Sequence, residues 1–132
     1  IRMRKYDLLV IEHQQAKKPR HQKSHTPRFR EGAHWVDGVP PREAAFVPPP
    51  AEEIPRLIED WNAFLHSTCE NHPMVQKLAL AHVQLMTICP FYDRNGRVAR
   101  ALVPMMLREG KMLPEPVLLL SHYLFYHRET YF

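Results

Sequence analysis

Two apolar runs with helical spacing are separated by a short polar segment that favours a turn. The first run spans 78–88 and the second spans 99–107. The residues between them include three that are common in turns, namely Asp93, Asn95 and Gly96. The sequence therefore predicts a helix, a tight loop and a second helix that begins directly after the loop.

The start of the second helix is a candidate anion site. The first N–H groups of a helix have no intrahelical partners and carry partial positive charge. Arg97 and Arg100 are three residues apart and therefore share one face of this helix. Asp93 could hold a divalent cation whose water ligands reach the same anion. This combination predicts a triphosphate site. The alternatives are surface arginines or salt bridges, an Asp93 that only caps the helix, and an ordinary turn.

The segment 89–100 resembles the signature of the Fic family, H-x-F-x-[DE]-G-N-[GK]-R-x-x-R. The positions that agree are Phe91, Asp93, Asn95, Gly96, Arg97 and Arg100. Two positions differ, because Cys89 replaces the histidine and Arg94 replaces the glycine that follows the acidic residue. Three further segments resemble family patterns in the same order along the chain, at 29–38, 45–50 and 113–121.

The resemblance implies an all-α fold, with a Fic-type helical core and a small β-hairpin flap. It implies transfer of AMP from ATP, with Mg²⁺, to a Ser, Thr or Tyr hydroxyl of a target protein. In that activity Asn95, Gly96, Arg97 and Arg100 surround the nucleotide phosphates, and Asp93 binds Mg²⁺. Arg94 could supply another phosphate contact.

Cys89 bears directly on activity. In the family the histidine takes the proton of the target hydroxyl, which attacks the α-phosphorus of ATP. Histidine suits a general base because its pKa lies near ambient pH. A free thiol has a pKa of about 8.5, which a helix N-terminus and nearby arginines could lower.

The position of Cys89 leaves several interpretations open. The transferase is weak or lost, or the domain is catalytically degenerate and retains nucleotide or protein binding. Cys89 itself is a general-base substitute, a small buried residue without chemistry, or a thiolate that is modified or acts as a nucleophile. The sequence does not decide whether the chain is an enzyme.

Arg94 stands where the family has glycine, so its backbone is expected to need a positive φ. That conformation costs a non-glycine residue about 1 kcal/mol or more.

The segment 34–47 has the pattern of a short hairpin. It resembles the family's flap, which docks the target's hydroxyl-bearing loop as an added strand, and a purely structural hairpin is the alternative. The flap residues expected to contact a target are Val39, Ala44, Ala45, Phe46 and Val47. Pro48, Pro49 and Pro50 follow as a stiff spacer.

The remaining elements are predicted from periodicity and breakers. A helix tail is expected at 2–15, a loop at 16–33 and a helix from about Ala51. The helix at 74–88 is apolar on nearly all sides and is expected to be the buried central helix. Two more helices are predicted at 96–109 and 117–129.

The 132 residues predict one Fic-like domain, 1–132, and the first residue, Ile1, suggests a piece of a longer chain. No run approaches the roughly 18 apolar residues of a membrane span. Two cysteines and no signal peptide indicate the cytoplasm, although a translocated effector would look the same.

The net charge is +4, and the basic excess is concentrated at 17–30. A solvated loop between helices is the stronger interpretation of that segment and nucleic-acid binding the weaker one, because Phe29 is the one Phe, Tyr or Trp among these basic residues and a base-stacking platform uses several. The family's short inhibitory helix has no match here, so inhibition would come from a separate segment or partner.

Overall fold

The computed structural model describes residues 28–36, 44–67, 73–115 and 117–131. This part of the chain is helical, which confirms the all-α prediction. A 3-10 turn, Ala51–Glu53, leads into helix α1, and the helices are α1 (Ile54–His66), α2 (Met74–Ile88), α3 (Asn95–Glu109), α4 (Leu120–Tyr126) and α5 (Arg128–Tyr131). The predicted helix tail at 2–15, the loop residues 16–27 and the flap residue Val39 lie outside the described ranges.

Helix α2 packs against both α1 and α3, and these three helices enclose the apolar core. Leu85 of α2 and Val98 of α3 are fully buried in this core. Trp61 of α1 also lies in the core, and its indole N–H donates a 2.8 Å hydrogen bond to the carbonyl of Ala81. Burial of each large side chain stabilises the fold by roughly 1.5–3 kcal/mol. The packing of α1, α2 and α3 around this core therefore holds in place the two helices that flank the loop 89–94.

The prediction that 74–88 is the central helix is confirmed, because α2 packs against both α1 and α3. The prediction that this helix is buried holds for one face only. Val75, Leu80 and Val83 are exposed on its outer face. The periodicity of apolar residues could not reveal this, because it shows which faces are apolar and not which faces have a neighbour. No helix in the described ranges has the length and apolarity needed to cross a membrane.

The observed helix bounds can be compared with the predicted ones, and two of the helices contain a proline. The predicted start near Ala51 is confirmed, and Pro55 lies in the first turn of α1, where a missing N–H costs nothing. Pro104 lies inside α3, which nevertheless continues to Glu109. The last predicted helix, 117–129, begins three residues later than expected and is interrupted at His127.

One antiparallel bridge is what the described residues show of the predicted hairpin. Val36 and Phe46 form an antiparallel bridge in which the Val36 N–H donates to the Phe46 carbonyl at 3.0 Å. The residues between them, 37–43, lie outside the description.

Candidate functional site

The loop between α2 and α3 is shaped by Asn95. Its Oδ1 accepts the N–H of Phe91 at 2.9 Å, and its Nδ2 donates to the Phe91 carbonyl at 2.8 Å. Phe91 is buried, and its ring packs against Phe29 with 5.6 Å between centroids. Both polar groups of the Asn95 side chain are thus engaged within the loop. Asn95 was expected beside the phosphates, and what it provides in this structure is the shape of the loop.

Arg94 begins helix α3 in the left-handed conformation, with φ 66° and ψ 12°. Its carbonyl accepts the N–H groups of Arg97 at 2.9 Å and Val98 at 3.1 Å. The positive φ agrees with the expectation drawn from the glycine that the family has here. An arginine at this position therefore imposes backbone strain at the start of the helix that carries the candidate anion site.

Asp93 projects from the same loop and is largely exposed. Its Oδ1 accepts the backbone N–H of Arg94 at 2.6 Å, and its Oδ2 lies 3.7 Å from the Nε of Arg94. The described ranges hold no group of three or more metal-binding side chains. Mg²⁺ that binds with a nucleotide commonly uses one or two carboxylates and takes other ligands from phosphates and water. A single exposed carboxylate beside an anion site fits that requirement.

Two arginines and a glycine lie in the first two turns of α3. Arg97 is exposed, whereas Arg100 is half-buried and its Nε donates to the Ser121 hydroxyl at 3.1 Å. The Arg100 guanidinium lies over Gly96, because an ideal Cβ there would be 2.8 Å from its Nη1. The start of α3 therefore combines the partial positive charge of a helix N-terminus with two arginines that are three residues apart on the same helix.

Cys89 ends helix α2 in a left-handed conformation, with φ 44°. Its thiol is buried and donates a 2.8 Å hydrogen bond to the carbonyl of Met86, one turn back in the helix. Burial raises the pKa of the Cys89 thiol, and the charge of Arg30 opposes this rise only in part. The depressed pKa that sequence reasoning allowed is therefore not found. The thiol of Cys89 is therefore neutral and bonded to its own helix.

Arg30 joins the site through four carbonyls, a role that its sequence position did not predict. Its guanidinium donates to the carbonyls of Ile88, Cys89, Gly32 and Pro49. Its backbone N–H also donates to the carbonyl of Pro90 at 2.9 Å. The only sequence signal was that Phe29-Arg30 resembles a family segment.

The rim of the site holds two aromatic residues that sequence reasoning did not single out. The Tyr92 hydroxyl accepts the N–H of Glu31 at 3.2 Å. The ring of His34 lies edge-on to Tyr92 with 6.2 Å between centroids. Desolvation and the nearby charge of Arg30 lower the pKa of His34, while Asp93 raises it. His34 is therefore mainly neutral at pH 7.

The predicted flap residues lie on the chain that returns from the hairpin. Ala44 is half-buried, and Ala45, Phe46 and Val47 are exposed. Their side chains are thus available to a partner.

Comparison with known proteins places this site in a family. The sequence model described as Fic/DOC family matches residues 4–107. Among solved structures, the chain is similar to a Fic family protein from Desulfovibrio desulfuricans G20, with 28% sequence identity and a TM-score of 0.62. The similarity covers 80% of this chain and 30% of that one, so the present chain spans less than a third of that relative.

Proposed function

Because this chain belongs to the Fic/DOC family, we propose that it has the site for transfer of AMP from ATP to a Ser, Thr or Tyr hydroxyl of a target protein. We further propose that transfer is weak or lost. The observation that carries this proposal is the state of Cys89, which is buried, neutral and bonded to the Met86 carbonyl.

The phosphates of ATP are assigned to the first turn of α3. The N–H groups of Asn95 and Gly96 and the guanidinium groups of Arg97 and Arg100 would bind phosphate oxygens, since charge-assisted bonds are the strong ones. Asp93 would bind Mg²⁺, which would neutralise phosphate charge when it is bound. Gly96 provides room for Arg100 to lie over the helix start.

The transfer step needs a proton acceptor. The target oxygen forms a bond to the α-phosphorus, the bond from that phosphorus to the bridging oxygen breaks, pyrophosphate leaves, and the hydroxyl proton must go to a base. A thiol that donates a hydrogen bond to the helix backbone is a poor acceptor for that proton. Loss of general-base catalysis typically costs about 10²–10⁴-fold in rate.

A catalytically degenerate domain that retains nucleotide or protein binding is the second candidate. It is supported by the combination of an inert Cys89 with an intact set of charged groups at Asp93, Arg97 and Arg100. The two candidates share the nucleotide site and differ only in whether transfer can be measured.

Calorimetric titration with Mg·ATP tests the nucleotide site that both candidates need. We expect micromolar to millimolar binding, and we expect Arg97→Ala to weaken it by about 1.5–3 kcal/mol, as for a charge-assisted hydrogen bond. Arg108→Ala is the matched control, because Arg108 is an exposed arginine in the last turn of the same helix. Absence of binding at millimolar nucleotide would reject the site and leave the loop as a structural turn.

A further inference from the structure

The guanidinium of Arg30 connects the segments that border the candidate site. Its Nε donates to the Cys89 carbonyl at 2.8 Å, and its Nη2 lies 3.4 Å from the Ile88 carbonyl, so it reaches the end of α2. Its Nη1 donates to the Gly32 carbonyl at 3.1 Å, and its Nη2 also donates to the Pro49 carbonyl. The same side chain therefore contacts the end of α2 and the chain on both sides of the flap.

The end of α2 explains why a buried arginine is accommodated. The last carbonyls of a helix lack intrahelical donors and carry partial negative charge. Arg30 is only 2% exposed, and none of the ion pairs found in the described ranges includes it. Carbonyl dipoles therefore take the place of a carboxylate partner. The planar fork of an arginine suits several carbonyls at once, which the single ammonium of a lysine does not.

The placement of the four carbonyls has a geometric consequence. Gly32 precedes Val36 and Pro49 follows Phe46, so they lie on the two sides of the bridge that closes the flap. Both roots of the flap are consequently fixed to the end of α2, where the loop 89–94 begins. The Arg30 backbone N–H adds a bond to that loop, at the carbonyl of Pro90.

We propose that Arg30 is a positioning residue that fixes the bridged residues Val36 and Phe46 relative to the loop 89–94, so that a target hydroxyl docked beside Phe46 reaches the nucleotide. The inference rests on the proposed function and adds to it that the target docks on the flap. It predicts that loss of the Arg30 fork impairs use of the target more than binding of ATP.

The first test needs no activity. In a Cys69→Ser background Cys89 is the only thiol, since the sequence has two cysteines. Arg30→Lys should speed the reaction of Cys89 with a disulfide reagent roughly tenfold or more, because the end of α2 opens more often. Amide exchange of the Val36 N–H should accelerate by a similar factor while amides inside α1 remain slow. Arg56→Lys is the matched control, because Arg56 is an exposed arginine paired with Glu53 and Asp60.

The second test uses the Cys89→His/Arg94→Gly chain as the parent. Adding Arg30→Lys should lower kcat/KM roughly tenfold or more for the protein that this parent labels best in a panel of candidate proteins, with the Kd for Mg·ATP changed less than threefold. Arg30→Gln should show a larger loss with the same split, because a neutral side chain makes fewer and weaker bonds to carbonyls.

Several outcomes would overturn the proposal. Equal losses of ATP binding and target use, or unfolding with both substitutions, would make Arg30 a structural residue only. Unchanged Cys89 reactivity and unchanged Val36 exchange would show that Arg30 does not fix the flap. If the parent chain labels no target, the proposed function fails, and the reactivity and exchange measurements alone decide whether Arg30 fixes the flap.

Discussion

The guanidinium of Arg100 occupies the space in which a side chain at Gly96 would begin. An ideal Cβ on Gly96 would lie 2.8 Å from Nη1 of Arg100, which is closer than real Cβ contacts come. Nη1 is the far end of a flexible side chain, so it can move away without disturbing the backbone. Glycine at position 96 therefore matters for where Arg100 lies rather than for whether α3 forms.

Gly96→Ala tests this relationship. We expect a chain of nearly unchanged stability, because alanine favours a helix and only the Arg100 side chain must move. Binding of Mg·ATP should weaken by about 1 kcal/mol or more, the range of a lost hydrogen bond to a charged group. Calorimetry on Gly96→Ala, Arg100→Ala and the double variant gives the coupling between the two positions. Strictly additive losses would show that Gly96 does not act through Arg100.

Arg94→Gly should stabilise the fold. A left-handed non-glycine residue costs roughly 1–2 kcal/mol, and the greater freedom of glycine in the unfolded chain returns part of it, so about 0.5–1 kcal/mol should remain. Lys111→Gly is the matched control, because Lys111 has φ 57° and lies after α3, outside the site. Urea unfolding measures both. If Lys111→Gly stabilises the chain and Arg94→Gly destabilises it, the Arg94 side chain contributes more to the loop than its backbone costs.

The Cys89 thiol should react only at elevated pH. Burial raises the pKa of the Cys89 thiol above that of a thiol in an unfolded chain, which is about 8.5. The folded chain therefore loses this proton at a higher pH than the unfolded chain does. In a Cys69→Ser background, the alkylation rate should therefore reach half its maximum at a higher pH in the folded chain than in urea. A midpoint below that of the unfolded chain would mean that Cys89 is a stabilised thiolate, and its role in the site would have to be reconsidered.

The sequence predicted the helices around the loop well, because local patterns determine them. The helix predicted at 74–88 has those bounds, and the one predicted at 96–109 differs by one residue at its start. The positive φ of Arg94 was also predictable, because glycine at the corresponding family position signals a left-handed backbone.

What the sequence could not supply depends on contacts between distant segments. Arg30 and Cys89 are 59 residues apart, and no local pattern shows that the side chain of one bonds the carbonyl of the other. The direction of the Cys89 pKa shift could not be decided from the sequence for the same reason. Charges near in sequence could have lowered the pKa, whereas the fold buries the thiol and bonds it to the Met86 carbonyl. The exposed outer face of α2 likewise depends on which elements surround the helix.

The rate of AMP transfer in three versions of this chain tests the central claim most directly. Labelled ATP, magnesium and a panel of candidate proteins are incubated with the unmodified chain, Cys89→His, and Cys89→His/Arg94→Gly. We expect little labelling by the unmodified chain and an increase with Cys89→His, because histidine accepts the hydroxyl proton and tolerates a positive φ better than most residues. The double variant should be faster still, up to the roughly 10²–10⁴-fold that a general base contributes.

Equal labelling by the unmodified chain and the double variant would contradict the account of Cys89. A folded double variant that binds ATP and labels nothing would favour the degenerate binding domain.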